Sequence, residues 1–176
     1  NLTERSDPSW ETVCEAVRSG VRWLLDIQNR DGGIPTFCKG RGVLPFDRSC
    51  PDITAHTVHA LTDWIDACPT RLAKRVRKSV SRAVAYLRCS QNTDGSWTPL
   101  WFGNEAADGA ENRTYGTAKV IGVLQRLPNA VDRHELRTVC LRGVRWLLGN
   151  RHDVGGWCAA KGTPSTVESS AGAVQP

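Results

Sequence analysis

The sequence predicts an all-α chain of stacked helical hairpins, and two observations carry that prediction. The first is a phrase stated three times. Gly20-Val21-Arg22-Trp23-Leu24-Leu25-Asp26-Ile27-Gln28-Asn29-Arg30-Asp31-Gly32-Gly33-Ile34 is echoed by residues 83–97 and again by 143–157, with 63 residues between Gln28 and Gln91 and 60 between Gln91 and Arg151. Recurrence at that interval marks supersecondary units that bury a core only by stacking on one another. The second is the apolar pattern, which runs at helical spacing between Gly and Pro punctuation and shows no convincing strand.

Each element follows in turn. Asp7 as N-cap and Pro8 in the first turn start a helix whose stripe is Trp10, Val13, Val17, Val21, Leu24 and Leu25. Asp31-Gly32-Gly33 ends it near Asn29, and residues 30–51 form a Gly- and Pro-containing loop. Asp52 is the next N-cap, opening a helix from Ile53 to Ala67 that Cys68-Pro69 breaks. A third helix spans about residues 71–90 with Leu72, Val76, Val80, Ala83, Val84 and Leu87 on one face. A second long loop leads to a fourth helix, Thr114 to Leu127, and Asp132 caps a fifth, Arg133 to Asn150, stopped by Gly155-Gly156. The stretch from Ser165 to Pro176 lies where a sixth helix belongs, but it is too polar and small to offer a good apolar face.

Composition sets the frame. The 176 residues suffice for one domain, 1–176, and at 40% hydrophobic and 23% charged they can bury a core. The net charge of +5 permits anionic partners, yet no aromatic-interleaved basic patch supports nucleic-acid binding. No apolar run is long enough for a membrane span. The seven cysteines are scattered, with no C-x-x-C, which points to free thiols in a reducing, cytoplasmic setting. The start lacks a signal pattern and an initiator Met, so a processed product or a segment of a longer protein is expected.

The shared motif is a basic residue, a small residue, an aromatic, an aliphatic, then Gln, Gly and Trp. The middle copy meets every position with Arg82, Ala83, Tyr86, Leu87, Gln91, Gly95 and Trp97. The third carries Arg151 in place of Gln and ends on Trp157; the first carries Gln28 but has Ser19 for the basic residue and Ile34 for Trp. A Gln at a helix end can bond the backbone groups left free there, and the Trp can pack beside it. Taken together the three copies resemble the "QW" repeat of the squalene–hopene and oxidosqualene cyclases. Further segments are similar to that family: Asp52-Ile53-Thr54-Ala55-His56, then Trp101-Phe102-Gly103-Asn104 with Tyr115-Gly116-Thr117, then Gly155-Gly156-Trp157 with Pro164-Ser165-Thr166. The resemblance runs from about Val13 to Ser165 and covers the C-terminal part of a cyclase.

The resemblance implies a partial (α/α)6 barrel and a proton-initiated cyclisation of a polyprenyl chain such as squalene, in triterpenoid or hopanoid biosynthesis. It implies that His56 pairs with the acid and that Trp101, Phe102 and Tyr115 line the substrate cavity. Asp52, four residues before His56, can share its helical face; capping by Asp52 and ordinary half-burial of His56 fit the spacing equally. The chain departs from the family in two ways. The segment between Phe102 and Tyr115 is long, with Glu105, Asp108 and Glu111, and the acidic D-x-D-D motif is absent. The chain alone is therefore expected to be silent. No cofactor is expected. Cys38, Cys50, His56 and His59 lie close in sequence but include no D-x-C pair with a distant His, so no metal is expected either. The basic third helix allows peripheral membrane contact, though a solvated face is the simpler reading. Too few hairpins for a closed ring imply an oligomer or a missing N-terminal half. The alternative function is a non-enzymatic repeat module that binds a partner protein or lipid.

Overall fold

A computed structural model describes residues 8–105, 109, 111–127, 133–153, 155–159, 164–165 and 167–174. Among them the helices are α1 (Pro8–Ile27), α2 (Pro51–Asp63), α3 (Thr70–Cys89), α4 (Arg113–Arg126), α5 (Arg133–Gly149) and α6 (Val167–Val174). A two-residue antiparallel ladder pairs β1 (Ile34–Pro35) with β2 (Ser49–Cys50) and ties off the first long loop. The expected caps Asp7 and Asp132 lie outside the described residues, as do Asp108 and Thr166.

Three expectations need correction. Asp52 is not the N-cap of α2: Cys50 holds that place and Pro51 opens the helix, because proline's fixed φ suits the first turn and its missing N–H is not needed there. The second helix does not run to Ala67; it stops at Asp63, and Ile65–Ala67 tightens into a 3-10 turn before Pro69. The final stretch does form a helix, α6, which packs on α4. Its hydroxyls explain how. Ser170 Oγ accepts the Trp157 backbone N–H at 2.9 Å, as Thr54 Oγ1 accepts from Ile34 and Thr117 Oγ1 accepts from Trp97, each at 2.9 Å. The polar residue is therefore the repeated anchor between turn and inner helix, and not a defect in an apolar face.

The helices form two layers. α2, α4 and α6 pack in succession; α1 packs on α3, and the end of α3 is hydrogen-bonded to α5. The motif-bearing helices form one layer, taken as the outer, and α2, α4 and α6 form the other, the inner. The core between them includes Val58, Leu61, Val76, Leu87, Trp97 and Val120, all fully buried.

The motif builds the junctions between units. The Gln28 amide donates to the Gly32 carbonyl at 2.7 Å and to the Ser79 carbonyl of α3 at 3.0 Å. Its Oε1 accepts from the Ser79 hydroxyl at 3.0 Å and from Arg82 at 3.2 Å, and Arg82 also donates to the Asn29 and Arg30 carbonyls. The next junction repeats the pattern: Gln91 donates to the Gly95 and Val139 carbonyls at 2.9 and 3.0 Å, and Arg142 donates to those of Asn92 and Thr93. Gly32 and Gly95 have φ of 96° and 98°, and a Cβ on Gly95 would lie 2.7 Å from the Arg142 carbonyl oxygen. Only glycine meets both demands. The indoles of Trp97 and Trp157 donate to the Leu87 and Leu147 carbonyls, each at 2.8 Å. Those carbonyls lie in the last turns of α3 and α5, where they also accept from the Ser90 hydroxyl at 3.2 Å and from the Asn150 N–H at 3.1 Å.

Candidate active site

The inner helices repeat a short word. Thr54-Ala55-His56 in α2 answers to Thr117-Ala118-Lys119 in α4, 63 residues on. The Thr anchors each helix to its turn, so His56 and Lys119 take equivalent places on neighbouring helices. By the same register Tyr115 answers to Asp52.

Around that register the expected residues converge. The Tyr115 hydroxyl lies 3.5 Å from His56 Nε2, long for a hydrogen bond. Phe102 stacks on Tyr115 with centroids 3.9 Å apart and planes at 24°. Trp101 meets Phe37 edge-on at 5.3 Å and 67°. Lys119 Nζ stands 5.6 Å from the Tyr115 ring centroid. The long segment before Tyr115 thus leaves its ring against Phe102.

Asp52 lies buried at the base of this group. Its carboxylate accepts the Cys50 thiol at 2.6 Å, and Cys50 Sγ in turn accepts the Leu100 N–H at 3.3 Å. The thiol thereby ties the loop bearing Trp101 and Phe102 to the start of α2. Asp52 does not pair with His56 by a hydrogen bond among the described residues; it acts on the ring through space.

The electrostatics follow from this placement. Burial and then the Lys119 ammonium hold the His56 pKa below its ordinary value, with Asp52 opposing them. Burial, with the Asp52 charge and hydrogen bond, pushes the Cys50 thiol up to about 12. Burial and the same carboxylate raise Tyr115, keeping its hydroxyl protonated. His56 is thus a neutral imidazole at neutral pH.

The arrangement offers a neutral imidazole, a protonated phenol and three π faces on one open surface. Trp101 is 53% exposed and Phe102 38% exposed, so this chain by itself does not wall the aromatic faces off from water. Gln28, Gln91, Gly95, Trp97 and Trp157 lie apart, in the outer junctions. Among the described residues no group of three or more His, Cys, Asp or Glu side chains is placed to hold a metal ion, and no helix is long and apolar enough to cross a membrane. The sequence motifs did not point to Phe37 or Lys119, and they brought in Cys50 only as a candidate metal ligand. The T-A-H/T-A-K register was the signal for Lys119; Cys50 and Phe37 come to the site through loop folding that no local pattern encodes.

Comparison with known proteins places the chain. Residues 2–170 match the family model described as the squalene-hopene cyclase C-terminal domain. The chain is 29% identical to enfumafungin synthase efuA of Hormonema carpetanum over 87% of its length, covering 12% of that protein. It is 27% identical to squalene hopane cyclase afumA of Aspergillus fumigatus, over 80% of this chain and 23% of that one. It is 29% identical to a probable squalene–hopene cyclase of Sinorhizobium fredii, over 81% of this chain and 21% of that one. The chain therefore spans less than a quarter of the length of these relatives.

Proposed function

The chain belongs to the squalene-hopene cyclase C-terminal domain family, and from that membership we propose that it is the C-terminal part of a proton-initiated triterpene cyclase. The observation that carries this reading is the convergence of His56, Tyr115, Phe102 and Trp101 at the inner helices, in a chain whose family match spans residues 2–170. The substrate class is a squalene-like polyene.

In the proposed reaction a carboxylic acid gives its proton to a terminal carbon–carbon double bond. A C–H bond forms, and the π pair leaves a tertiary cation that successive double bonds attack in turn. The His56 N–H donates a hydrogen bond to the carboxylate left behind, which stabilises that anion and makes the acid a stronger donor. The faces of Trp101, Phe102 and Tyr115 stabilise the moving cation without adding to it, a contribution of about 0.5–2 kcal/mol per ring. The donor acid is assigned to a D-x-D-D segment, which the 176 residues do not contain. The chain alone is accordingly silent, both for want of a donor and because its aromatic surface is open.

Product analysis of squalene tests the reading. Residues 1–176 alone are expected to return squalene unchanged, and the protein expressed from its complete reading frame to yield cyclised product. No cyclised product from the latter removes the cyclase assignment and favours the competing reading, a repeat module that binds a protein or lipid through its inner face.

A further inference from the structure

Resting on the cyclase reading, we propose that Lys119 is a positioning residue for the proton-donating step: its ammonium supplies the fixed positive charge that favours the donor's carboxylate, and His56 serves that carboxylate as a neutral hydrogen-bond donor.

Lys119 reaches the site through the repeat. Thr54-Ala55-His56 in α2 and Thr117-Ala118-Lys119 in α4 stand in one register. Thr54 and Thr117 each accept a turn N–H at 2.9 Å, from Ile34 and from Trp97, so the two helices are hung alike and their third residues take matching places. Tyr115 joins them. Its hydroxyl lies 3.5 Å from His56 Nε2, and its ring centroid lies 5.6 Å from Lys119 Nζ. The ammonium and the imidazole are thus separated by about the width of one tyrosine side chain.

That ammonium is half-buried, and no ion pair among the described residues includes it. Asp52, the carboxylate that acts on His56, is itself buried and already accepts the Cys50 thiol. A partly desolvated cation without a counter-ion gains most from an anion that comes to it.

The division of labour follows from charge. The groups that face His56 are Lys119 and Tyr115 from α4 and Asp52 and His59 from α2, with His59 paired to Asp63 at 3.3 Å. Burial and then Lys119 keep the imidazole neutral at neutral pH. A neutral imidazole gives a carboxylate a hydrogen bond but no charge. The ammonium that repels a proton from His56 acts with the opposite sign on an anion beside His56, so it favours the carboxylate over its acid and strengthens the donor. In the step itself the acid's O–H bond breaks as the C–H bond forms, and Lys119 keeps its own protons. Lysine holds its charge to about pH 10 and imidazole only to about pH 6.5. The donor therefore stays strong where an imidazolium would be lost.

Turnover of squalene against pH, in the protein expressed from its complete reading frame, tests this. Wild type is expected to hold its rate from about pH 6.5 to 9. Lys119→Met should lose at least about tenfold at about pH 8 and regain part of it as pH falls and His56 takes up a proton. Lys119→Arg should keep the wild-type profile. In residues 1–176, NMR titration of the His56 ring should give a higher pKa in Lys119→Met than in wild type. A wild-type rate in Lys119→Met, a loss of the same size at every pH, a Lys119→Arg profile like that of Lys119→Met, or a His56 pKa that does not move each overturns the proposal and leaves the cyclase reading standing. No cyclised product from wild type removes that reading, and the role of Lys119 with it.

Discussion

Asp52 illustrates how a single side chain organises the candidate site. One buried carboxylate accepts the Cys50 thiol at 2.6 Å and raises the pKa values of Cys50 and Tyr115, while opposing the burial and the Lys119 and His59 charges that lower His56. The Cys50 thiol, pushed up to about 12, is a poor nucleophile at neutral pH. Maleimide labelling followed by peptide mapping should modify exposed Cys38 well before Cys50; the reverse order would contradict this placement. His56 has a folded-state pKa below the unfolded value near 6.5. Its stabilising contribution is therefore present above that pH and is lost as pH falls through the folded value. His56→Gln should flatten that limb of a plot of stability against pH. At the second junction Gln91 Oε1 is buried with no donor among the described residues, because Val139 stands where Ser79 serves Gln28. Val139→Thr keeps the shape and adds the hydroxyl, and it should raise stability in urea titration by about 0.5–1.5 kcal/mol. At this scale the sequence was partly readable. His56, Tyr115, Phe102 and Trp101 were nameable from motifs, whereas the Asp52–Cys50 bond depended on where α2 begins, and Pro51 decided that.

The helix-and-turn junction is the element that sets the fold, and most of it was legible because it is local. Apolar spacing gave α1, α3, α4 and α5 nearly to their ends, and Gly32 and Gly95 marked the turns. What escaped notice was either too short to show a period, as with the Ile34–Pro35 and Ser49–Cys50 ladder, or held by a single long-range hydroxyl, as with α6 through Ser170. Two variants probe the junction. Trp97→Phe puts a smaller ring in a fully buried place and removes the indole donor to the Leu87 carbonyl, which keeps the Ser90 hydroxyl, and should cost about 1–3 kcal/mol in urea titration. Asp94 couples the second turn to its neighbours, accepting from Ser96, from Arg113 at 3.2 Å and from the Trp146 indole at 3.1 Å. Burial pulls its pKa upward, but the Ser96 hydrogen bonds, Arg113 and Trp146 outweigh it and leave the carboxyl below the ordinary range. A depressed pKa stabilises fully above the unfolded value and fades as pH falls through the folded one. Thermal melts should therefore lose stability below about pH 4, and Asp94→Asn should remove part of that loss.

At the scale of the whole molecule the three units make an arc whose inner layer carries the imidazole and the aromatic faces. Repetition explains why the arc holds together: each turn grips the next outer helix, and each inner helix is hung from its own turn by a Thr or Ser hydroxyl. It also explains why the site is open. Three aromatic faces and an imidazole on one side of an arc become a dry cavity only when the opposite side is present. The cyclase account stands most directly on His56. Turnover of squalene should be measured in the protein expressed from its complete reading frame, wild type against His56→Ala, with the helical spectrum checked in both. The expected result is a loss of at least about a hundredfold with the fold intact. Unchanged turnover would contradict the account.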